Sequence, residues 1–455
     1  MDRLMVSVSG VRGTIGATLT PDVACAFGAA FGSQLGPGKT VVLGCDTRVS
    51  GPMVRSALVA GLLSTGVSTV NLGVVTTPGA ALMAGHLHAD GGVVITASHN
   101  PPAYNGIKFL QPTGTGLDAA AAEALKQRWQ SGQFTYQPAA GVGHETANDS
   151  THETHIAAVK EVVDTAAIAA KRFKVVVDSI NGAGCEVTPR LLAELGCEVV
   201  HLNGEPTGQF AHEPEPIQEN LQGLCGAVRS EGAQIGFAQD PDADRLVVVD
   251  EKGRFIGEEY TLALCAAFVL GHRKGKLAAN LATSRMIDDI AAAAGVQVVR
   301  CPTGEANVAA AMAAEGCIFG GEGNGGVIEP KVVPVRDSLV GMAYLLEYLA
   351  ETGQPLSALV DAIPAYTLVK TKLPCPAGAA ETVAGKVREH FGGRDGVRFN
   401  DADGLRVDFA DAWVSVRASN TEPIMRIFAE APECPRAEAL VAEVRKITDE
   451  VVSGC

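Results

Sequence analysis

A pattern of strand, polar loop, helix, glycine and β-branched strand occurs three times along the chain. The copies span residues 39–71, 174–202 and 276–300, and they open on the apolar runs TVVLG, KVVVD and KLAAN. In each copy a glycine ends the helix and a second strand follows. Such a unit is a βαβ crossover, which is right-handed and builds a mainly parallel sheet covered on both faces. Because the copies start roughly 100 residues or more apart, they favour three related α/β domains in series over a solenoid.

The last part of the chain has a different pattern. We predict helices over residues 379–391 and 436–451, and strands over 404–409, 412–416 and 425–429. This order is typical of an α+β domain with antiparallel strands. The fold class is therefore α/β, with three related mixed or parallel domains and a C-terminal α+β domain. The predicted domains are 1–150, 151–252, 253–366 and 367–455, and the polar stretch 143–155 is the predicted first linker.

The composition of the chain limits the classes of molecule that it is expected to bind. The 455 residues carry a net charge of −15 and no Lys/Arg-rich run, so neither nucleic acid nor an anionic membrane surface is expected to bind. An anionic substrate would need a local cationic site. The longest apolar stretch, near residues 262–270, is too short to cross a bilayer, and residues 1–10 lack a signal-peptide core. The 11 cysteines form no CxxC pair, so we expect neither a zinc site nor disulfides. A protein without disulfides is expected in the reducing cytoplasm.

The stretch VITASHNPPAYNGIKF, residues 94–109, contains the best candidate nucleophile. An apolar run ends there in a loop whose two prolines exclude both helix and central strand. Ser98 is thus presented on a stiff loop past a strand end, with His99 beside it and Lys108 ten residues later. This arrangement suits nucleophilic chemistry on a phosphate. An ordinary Ser/Asn turn that hydrogen-bonds its own backbone is the alternative interpretation.

The second candidate loop is DPDADR, residues 240–245, between an apolar run and a predicted strand. Asp240, Asp242 and Asp244 alternate along it and can converge on one point. Without a counter-ion, three such carboxylates would repel one another and raise their pKa values. A hard divalent cation removes this conflict, and oxygen ligands suit Mg²⁺. A solvated acidic turn is the alternative interpretation.

Two further loops offer groups for a sugar and for a phosphate. GGEGNGG, residues 320–326, presents only Glu322 and Asn324 among glycines, and these side chains suit vicinal hydroxyls. RASNTEP, residues 417–423, combines arginine, hydroxyl and amide groups in a possible phosphate cradle without a Walker sequence. The candidate phosphate ligands are Arg417, Ser419, Asn420, Thr421 and Arg426. A flexible hairpin and a capped surface turn are the respective alternatives.

Two short segments identify no chemistry alone. SGVRGT, residues 9–14, places Arg12 in a predicted glycine-flanked turn near the N-terminus. Asp46-Thr47-Arg48 follows the first strand of the first βαβ unit. Arg12 would add positive charge to a protein whose net charge is negative.

Five segments in order, SGVRGTIG, TASHNPPAYNGIKF, DPDADR, GGEGNGG and RASNTEP, resemble the motifs of the α-D-phosphohexomutases. The resemblance covers essentially the whole chain, and it implies four domains around a central cleft. It also implies that Ser98 is a phosphoserine and that Glu322 and Asn324 contact the sugar. It further implies that the non-reacting phosphate is bound by Arg417, Ser419, Asn420, Thr421 and Arg426. The implied ligands of one Mg²⁺ per chain are Ser98, Asp240, Asp242 and Asp244.

The chain departs from some relatives in that family. Gly326 stands where many have a histidine that closes the sugar loop, and residues 304–307 (GEAN) lack the histidine of others. The resemblance therefore leaves Lys108 and Glu305 as candidate acid/base groups, Glu305 also being counted among the predicted substrate contacts. The candidate catalytic residues are Ser98, His99, Lys108, Arg12 and Arg245, the two arginines as electrostatic support.

The GEGNGG loop and the SGVRGTIG start are most similar to phosphoglucosamine mutases of the archaeal and Bacteroidetes type. The resemblance implies an isomerase that moves a phosphoryl group between the 6- and 1-positions of a hexose phosphate through a 1,6-bisphosphate, which is also the expected activator. Glucosamine phosphate is the expected substrate, and phosphoglucomutase or phosphomannomutase activity is the alternative. A metal-dependent sugar phosphatase and a non-catalytic sugar-phosphate-binding relative also remain open. A monomer or homodimer is expected.

Overall fold

The computed structural model describes residues 3–376, 378–418 and 424–453. These residues form four sheets of seven, four, four and five strands, with helices packed around them. The predicted fold class is confirmed, because three related α/β units are followed by an antiparallel α+β unit.

The first sheet is mixed and contains the first βαβ unit. Its strands are β1 (Met5–Ser7), β2 (Gly10–Thr14), β3 (Thr40–Cys45), β4 (Ser68–Val74), β5 (Gly91–Ile95), β6 (Tyr104–Leu110) and β7 (Glu145–Ala147). Its helices are α1 (Pro21–Leu35), α2 (Gly51–Ser64), α3 (Thr77–His86) and α4 (Ala119–Ser131), with a 3-10 turn at Ala139–Gly141. The strand order is β1-β2-β6-β5-β3-β4-β7.

Residues 143–155, predicted as the first linker, contain regular secondary structure. β7 lies in this stretch and pairs in parallel with β4 at the edge of the first sheet. The next helix, α5 (Thr151–Lys160), also begins there. Composition misled because an edge strand needs no apolar face, and all three residues of β7 are exposed.

The second sheet has the order β11-β10-β8-β9. Its strands are β8 (Lys174–Asp178), β9 (Glu198–Leu202), β10 (Ile235–Gln239) and β11 (Leu246–Asp250). Besides α5, its helices are α6 (Thr165–Lys171), α7 (Gly184–Glu194) and α8 (Gln222–Glu231). The strands are short apolar runs because both faces of the sheet are buried, and all five residues of β10 are buried.

The third sheet has the order β13-β12-β14-β15. Its strands are β12 (Leu277–Asn280), β13 (Val298–Cys301), β14 (Phe319–Glu322) and β15 (Gly326–Ile328). Its helices are α9 (Glu259–His272), α10 (Met286–Ala294), α11 (Glu305–Glu315), α12 (Ser338–Thr352) and α13 (Leu356–Asp361). The glycine predicted to end α10 is Gly295, which has the left-handed conformation of a helix cap.

Each of the three α/β sheets contains the same arrangement of four strands, and this repeated arrangement positions the site. In chain order, the first three strands of each core are parallel and the fourth returns antiparallel to the third. The turns between the third and fourth strands are residues 96–103, 240–245 and 323–325. The serine, aspartate and glycine-rich motifs therefore occupy the same position in three copies of one unit.

The fourth sheet is antiparallel, with the order β16-β20-β19-β18-β17. Its strands are β16 (Thr367–Pro374), β17 (Arg398–Asn400), β18 (Leu405–Asp408), β19 (Trp413–Ala418) and β20 (Ile424–Ala431). Its helices are α14 (Ala379–Phe391) and α15 (Cys434–Ser453). We had predicted both helices and three of these strands. The strands that we missed, β16 and β17, are the two edges of the sheet, where alternation of apolar and polar residues is weakest.

One cluster of buried apolar side chains runs through the first three domains, from Val42 in β3 through Val175 in β8 to Phe319 in β14. The fourth domain has its own core, which includes Val383 and Ile427. The first three domains thus share a continuous core, against which the fourth is a separate unit.

Among the described residues, no helix combines the length and the apolar character needed to cross a membrane.

Candidate active site

The Ser98 loop is held in place by a buried arginine. Arg48 pairs with Asp46 at the end of β3, and its guanidinium points into the loop between β5 and β6. It donates to the backbone carbonyls of residues 98, 100, 101 and 104 at 2.6–2.9 Å. Ser98 itself has a left-handed backbone with φ of 48°, which is uncommon for a residue with a Cβ. The loop is therefore held by contacts from outside it in addition to its two prolines.

The structure brings Ser98 and the aspartate loop together. Ser98 Oγ donates to Asp240 Oδ2 at 2.6 Å, across 142 positions of sequence. Both residues are almost fully buried. The hydroxyl of the first domain and the carboxylates of the second thus meet at one point, each presented by the turn between the third and fourth core strands of its own sheet.

The three aspartates could hold a metal ion. Each offers a carboxylate oxygen, and these oxygens lie within 4.8 Å of one another. Oδ1 of Asp242 and Oδ1 of Asp244 are buried without a hydrogen-bond partner among the described residues. Burial and the two neighbouring carboxylates raise the pKa of Asp240 well above its usual value. Converging carboxylates with unused oxygens fit a hard cation such as Mg²⁺.

Two other groups from the first domain contact the aspartate loop. Thr77, at the start of α3, donates its hydroxyl to Asp242 Oδ2 at 2.6 Å. Lys108, on β6, lies 2.6 Å from Asp242 Oδ2 and 3.3 Å from Asp244 Oδ2. Burial lowers the pKa of Lys108, but Asp242 and Asp244 outweigh that effect and leave it above the usual value. Lys108 is therefore a cation in this arrangement. No sequence motif marks Thr77, which our sequence analysis missed.

Arg12 does not lie in a turn, as we predicted, but within strand β2. The glycines beside it serve close packing, since a Cβ on Gly10 would overlap the carbonyl oxygen of Ile107. Arg12 Nη1 donates to Asn100 Oδ1 at 3.0 Å, next to the Ser98 loop. Arg12 thus faces the Ser98 loop from the second strand of the first sheet.

His99 and Arg245 complete the group around Ser98. His99 Nδ1 lies 3.4 Å from Ser98 Oγ. Burial, followed by Arg245 and Arg12, lowers the pKa of His99 to about 3, so its ring is neutral at neutral pH. Arg245 Nε lies 4.0 Å from Asp240 and 3.8 Å from Asp244. The predicted catalytic residues are therefore in one place.

Glu322 is fixed on both oxygens. Asn280 Nδ2 and the backbone N–H of Gly304 donate to Oε1 at 2.7 and 3.0 Å, and Arg336 donates to Oε2 at 2.8 Å. Asn324, two residues later, has a buried Oδ1 without a partner among the described residues. The loop rests on the second sheet, because Leu246 N donates to the carbonyl of Gly325 at 2.8 Å. Gly325 has φ of 86° and no room for a Cβ there.

Glu305 begins helix α11 and joins the same network. Its Oε2 accepts from the backbone N–H and from Nε of Arg336, at 3.1 and 3.0 Å. Burial raises the pKa of Glu305, although Arg336 opposes that effect. Arg336 was missed by our sequence analysis. The signal that could have indicated it is a charge balance: the predicted carboxylates outnumber the predicted cations around them.

Two of the predicted phosphate-binding residues, Arg417 and Arg426, lie on the fourth sheet. Arg417 on β19 is directly opposite Arg426 on β20, which is opposite Lys372 on β16. Three cations on one face of neighbouring strands would repel one another, and an anion would relieve that repulsion. Our sequence analysis missed Lys372. Ser419, Asn420 and Thr421 lie outside the described residues.

Arg417 also connects the fourth domain to the third. Its Nη1 donates to Asp403 Oδ2 at 2.7 Å, and the same oxygen accepts from the backbone N–H of Thr303 at 3.0 Å. Thr303 is two residues before Glu305. The cationic face is therefore adjacent to the segment that leads to Glu305.

Comparison with known proteins agrees with this geometry. Models of the phosphoglucomutase/phosphomannomutase alpha/beta/alpha domains I, II and III and C-terminal domain match residues 3–136, 153–253, 258–366 and 368–447. A phosphoglucomutase/phosphomannomutase from Thermococcus kodakarensis is 42% identical over 98% of this chain and 98% of its own. A Methanopyrus kandleri protein named probable phosphoglucosamine mutase is 39% identical over 97% of this chain and 98% of its own.

A solved structure agrees as well. The crystal structure of a phosphoglucomutase/phosphomannomutase family protein from Burkholderia thailandensis matches with a TM-score of 0.86 at 31% identity, covering 98% of each chain. The chain therefore belongs to the phosphoglucomutase/phosphomannomutase family of phosphohexomutases, which are isomerases.

Proposed function

We propose that this protein moves a phosphoryl group between the 6- and 1-positions of a hexose phosphate and that Ser98 carries the group between turnovers. The observation that supports this most is the 2.6 Å contact between Ser98 Oγ and Asp240 in a buried cluster of three aspartates. A serine oxygen next to a cation site and to fixed positive charge supplies the parts that phosphoryl transfer requires.

Two half-reactions follow. In the first, the bond between Ser98 Oγ and phosphorus breaks, and the phosphorus bonds to a sugar hydroxyl oxygen that loses its proton. Ser98 is left as a hydroxyl, and the sugar becomes a 1,6-bisphosphate. In the second, Ser98 Oγ loses its proton and bonds to the phosphorus of the other phosphoryl group, while the bond between that phosphorus and the sugar oxygen breaks and the sugar oxygen takes up a proton. Added hexose 1,6-bisphosphate would restore a chain that has lost its phosphoryl group, and is therefore the proposed activator.

Asp240, Asp242 and Asp244, together with the oxygen on Ser98, would hold one Mg²⁺. When bound, the cation stabilises negative charge on the transferring phosphoryl group. Arg245 and Lys108 add fixed positive charge at the same place. Because these groups are held by buried contacts, they need little rearrangement during the transfer.

Proton transfer has two candidates on this chain. Lys108 is held as a cation by two aspartates. Glu305 is favoured, because burial raises its pKa above the usual value of a glutamate, and a raised pKa suits a carboxyl group that must both accept and release a proton. We therefore expect Glu305→Gln to lower kcat by a larger factor than it changes KM.

The phosphate that does not react would bind to the cationic face of the fourth domain. Arg417 and Arg426 are the described members of this proposed cradle, with Ser419, Asn420 and Thr421 as further proposed ligands. Closure of the fourth domain on the substrate would exclude water and prevent loss of the phosphoryl group by hydrolysis. Glu322 and Asn324 would contact ring hydroxyls, which a sugar presents in both of its orientations.

Glucosamine phosphate is the proposed substrate, as for the relative from Methanopyrus kandleri by its name. Glucose or mannose phosphate is the second candidate, because the 42% identical relative is named phosphoglucomutase/phosphomannomutase. Coupled assays with the three hexose phosphates, Mg²⁺ and a bisphosphate distinguish them. We expect the highest kcat/KM with glucosamine phosphate, and a preference for glucose or mannose phosphate would reverse that assignment.

The role of Ser98 is tested by substitution. We expect Ser98→Ala to lose at least about a thousandfold in kcat, because alanine has no side-chain oxygen that can carry the phosphoryl group. The matched control is Ser56→Ala, which removes an exposed hydroxyl of the same domain and should leave kcat unchanged. Inorganic phosphate is measured in parallel, since release of phosphate in place of isomer would indicate a phosphatase. Full turnover by Ser98→Ala would end the proposed mechanism.

A further inference from the structure

Arg336 lies between three carboxylates from two domains. Nη2 donates to Asp244 Oδ2 at 2.6 Å, Nη1 to Glu322 Oε2 at 2.8 Å, and Nε to Glu305 Oε2 at 3.0 Å. The side chain is only 9% exposed. A planar guanidinium has donors in several fixed directions, so one arginine can hold three carboxylates at set distances from one another.

The backbone around Arg336 is anchored to the second domain. The next residue, Asp337, pairs with the buried His155 on α5 at 2.7 Å. Ser338 donates its hydroxyl to the carbonyl of Ala243 in the aspartate loop at 2.6 Å, and Gln239 donates to Ser338 at 2.7 Å. The backbone of Arg336 is therefore fixed beside the aspartate loop, and from there its long side chain reaches Glu322 next to the glycine-rich loop.

The space for Arg336 is made by Gly326. A Cβ on Gly326 would lie 2.7 Å from Cγ of Arg336 and closer still to its Cδ. These atoms are in the middle of the side chain, so they cannot move aside while the guanidinium keeps its three contacts. The backbone of Gly326 is not in the left-handed region, and its conformation therefore does not require glycine. Room for the arginine is the steric reason for a glycine at this position.

We propose that Arg336 is a positioning residue that holds the sugar-site carboxylates Glu322 and Glu305 against the metal loop, and that Gly326 is the glycine that admits it. The inference rests on the proposed function, because it takes Glu322 as a sugar contact and Asp244 as a metal ligand. Arg336 also offsets negative charge where a dianionic hexose phosphate must approach five carboxylates. These are Asp240, Asp242, Asp244, Glu305 and Glu322.

The two ligands should respond to loss of Arg336 in opposite directions. Hexose phosphate should bind more weakly, because Glu322 and Glu305 lose their alignment. Loss of the positive charge also makes the net charge of the site more negative, which disfavours an anionic ligand. Mg²⁺ should bind as tightly or more tightly, because a cation next to Asp244 is gone. A residue that only stabilises the fold would weaken both, since local unfolding damages both loops.

The experiment measures binding by isothermal titration calorimetry on full-length protein treated with phosphatase. Mg²⁺ alone is one probe, and glucose 1-phosphate at saturating Mg²⁺ is the other. For Arg336→Met we expect the Kd of glucose 1-phosphate to rise about tenfold or more, and that of Mg²⁺ to stay within about threefold or fall. Arg336→Lys should recover part of the sugar-phosphate affinity, because it restores the charge without the bridging geometry.

Gly326→Ala tests the steric part without touching a charged group. Its Cβ should displace Arg336 and weaken glucose 1-phosphate binding as Arg336→Met does. The double variant should bind no more weakly than Arg336→Met alone, since both changes remove the same contacts. The matched control is Gly271→Ala in α9, where a Cβ meets nothing within 4 Å, and it should bind both ligands like the wild type.

Either of two results would overturn the inference: wild-type affinity for glucose 1-phosphate in Arg336→Met and Gly326→Ala, or parallel loss of both ligands in variants that unfold at the wild-type temperature. If Arg336→Met fails to fold, Arg336→Lys and Gly326→Ala carry the test. The proposed function fails separately, when the wild-type protein binds hexose phosphate with this dependence on Arg336 but produces no isomer.

Discussion

Some residues of the site have backbone conformations or charges that lower the stability of the folded protein. Ser98 and Ala243 both have left-handed backbones, with φ of 48° and 55°, a conformation that costs about 1 kcal/mol or more for a residue with a Cβ. Each lies in the turn that presents a functional group, Ser98 its own hydroxyl and Ala243 the aspartates on either side. The buried carboxylates add electrostatic repulsion to this strain.

Asp240→Asn should therefore stabilise the metal-free protein while abolishing turnover. At neutral pH the ionised Asp240 is disfavoured by burial and by Asp242 and Asp244, which raise its pKa. Asparagine keeps an oxygen for the backbone N–H of Arg245 and can donate to Ser98. Thermal unfolding in EDTA should show a higher midpoint for Asp240→Asn than for the wild type, and added Mg²⁺ should stabilise only the wild type. A lower midpoint in EDTA would contradict the proposed repulsion.

Glu259, behind the glycine-rich loop, should make stability depend on pH. Burial raises the pKa of Glu259 from 4.5 to about 8, and its carboxylate accepts from the backbone N–H of Ser284. Between these values the folded protein binds more protons than the unfolded one, so the contribution of Glu259 to stability falls as pH rises from about 5 to 8.

Glu259→Gln keeps the acceptor and removes the ionisation. The difference in unfolding free energy between Glu259→Gln and the wild type, measured by denaturant titration from pH 5 to 9, should thus shift in favour of the variant as pH rises. A difference that is constant with pH would contradict this assignment.

At the scale of elements, the site is built from one turn used three times. The loops after β5, β10 and β14 are equivalent, yet the first carries a serine, the second three aspartates and the third a glycine-rich sequence. Burial of Leu246 against Gly325 shows how closely two of these turns pack. Equivalent turns converge because the domains share one core, and the chemistry differs because turn sequences are free to change without altering that core.

The sequence could predict what local pattern encodes. Helix α14 was predicted with the bounds it has, Ala379–Phe391, and all three βαβ units were found. It could not predict Arg336, Thr77 or Lys372, whose partners lie far away in sequence and whose own segments follow no motif. Edge strand β7 was missed because all three of its residues are exposed, which removes the alternation on which a strand prediction depends.

The Ser98 loop should lose its rigidity when Arg48 is shortened. Lysine cannot donate to four carbonyls and to Asp46 together, so Arg48→Lys leaves buried acceptors unsatisfied at a cost of about 3 kcal/mol. Hydrogen exchange should quicken in residues 96–104, and mutase turnover should fall although Arg48 does not contact the reacting atoms. Arg55→Lys, in a more exposed ion pair of the same domain, is the control that should change neither. Unchanged exchange in Arg48→Lys would show that the prolines suffice.

At the scale of the whole molecule, the fourth domain stands apart from the shared core of the other three. Its contacts with the third domain are polar: Arg406 Nη1 donates to the carbonyl of Leu281 at 2.5 Å, and the backbone N–H of Arg285 donates to Glu430 at 2.9 Å. Polar interfaces of this kind permit a domain to rotate as a unit. A rotation of this kind would move the cationic face relative to the Ser98 and aspartate loops without disturbing either loop.

Asp403 should compete with substrate phosphate for Arg417. Asp403→Asn keeps an oxygen for the backbone N–H of Thr303 and removes the charge that neutralises Arg417. We expect glucose 1-phosphate to bind about threefold more tightly to Asp403→Asn, and Arg417→Met to bind it more weakly, both by calorimetry. Equal affinity in the wild type and both variants would mean that Arg417 lies outside the phosphate site.

A pulse–chase measurement of the phosphoryl group on Ser98 tests the central claim most directly. Protein labelled with isotopic phosphate from glucose 1,6-bisphosphate is mixed with unlabelled hexose phosphate and quenched on the millisecond scale. The account predicts that the label maps to Ser98 by peptide mass and passes to the sugar at least as fast as kcat. Label on another residue, or transfer slower than turnover, would contradict it.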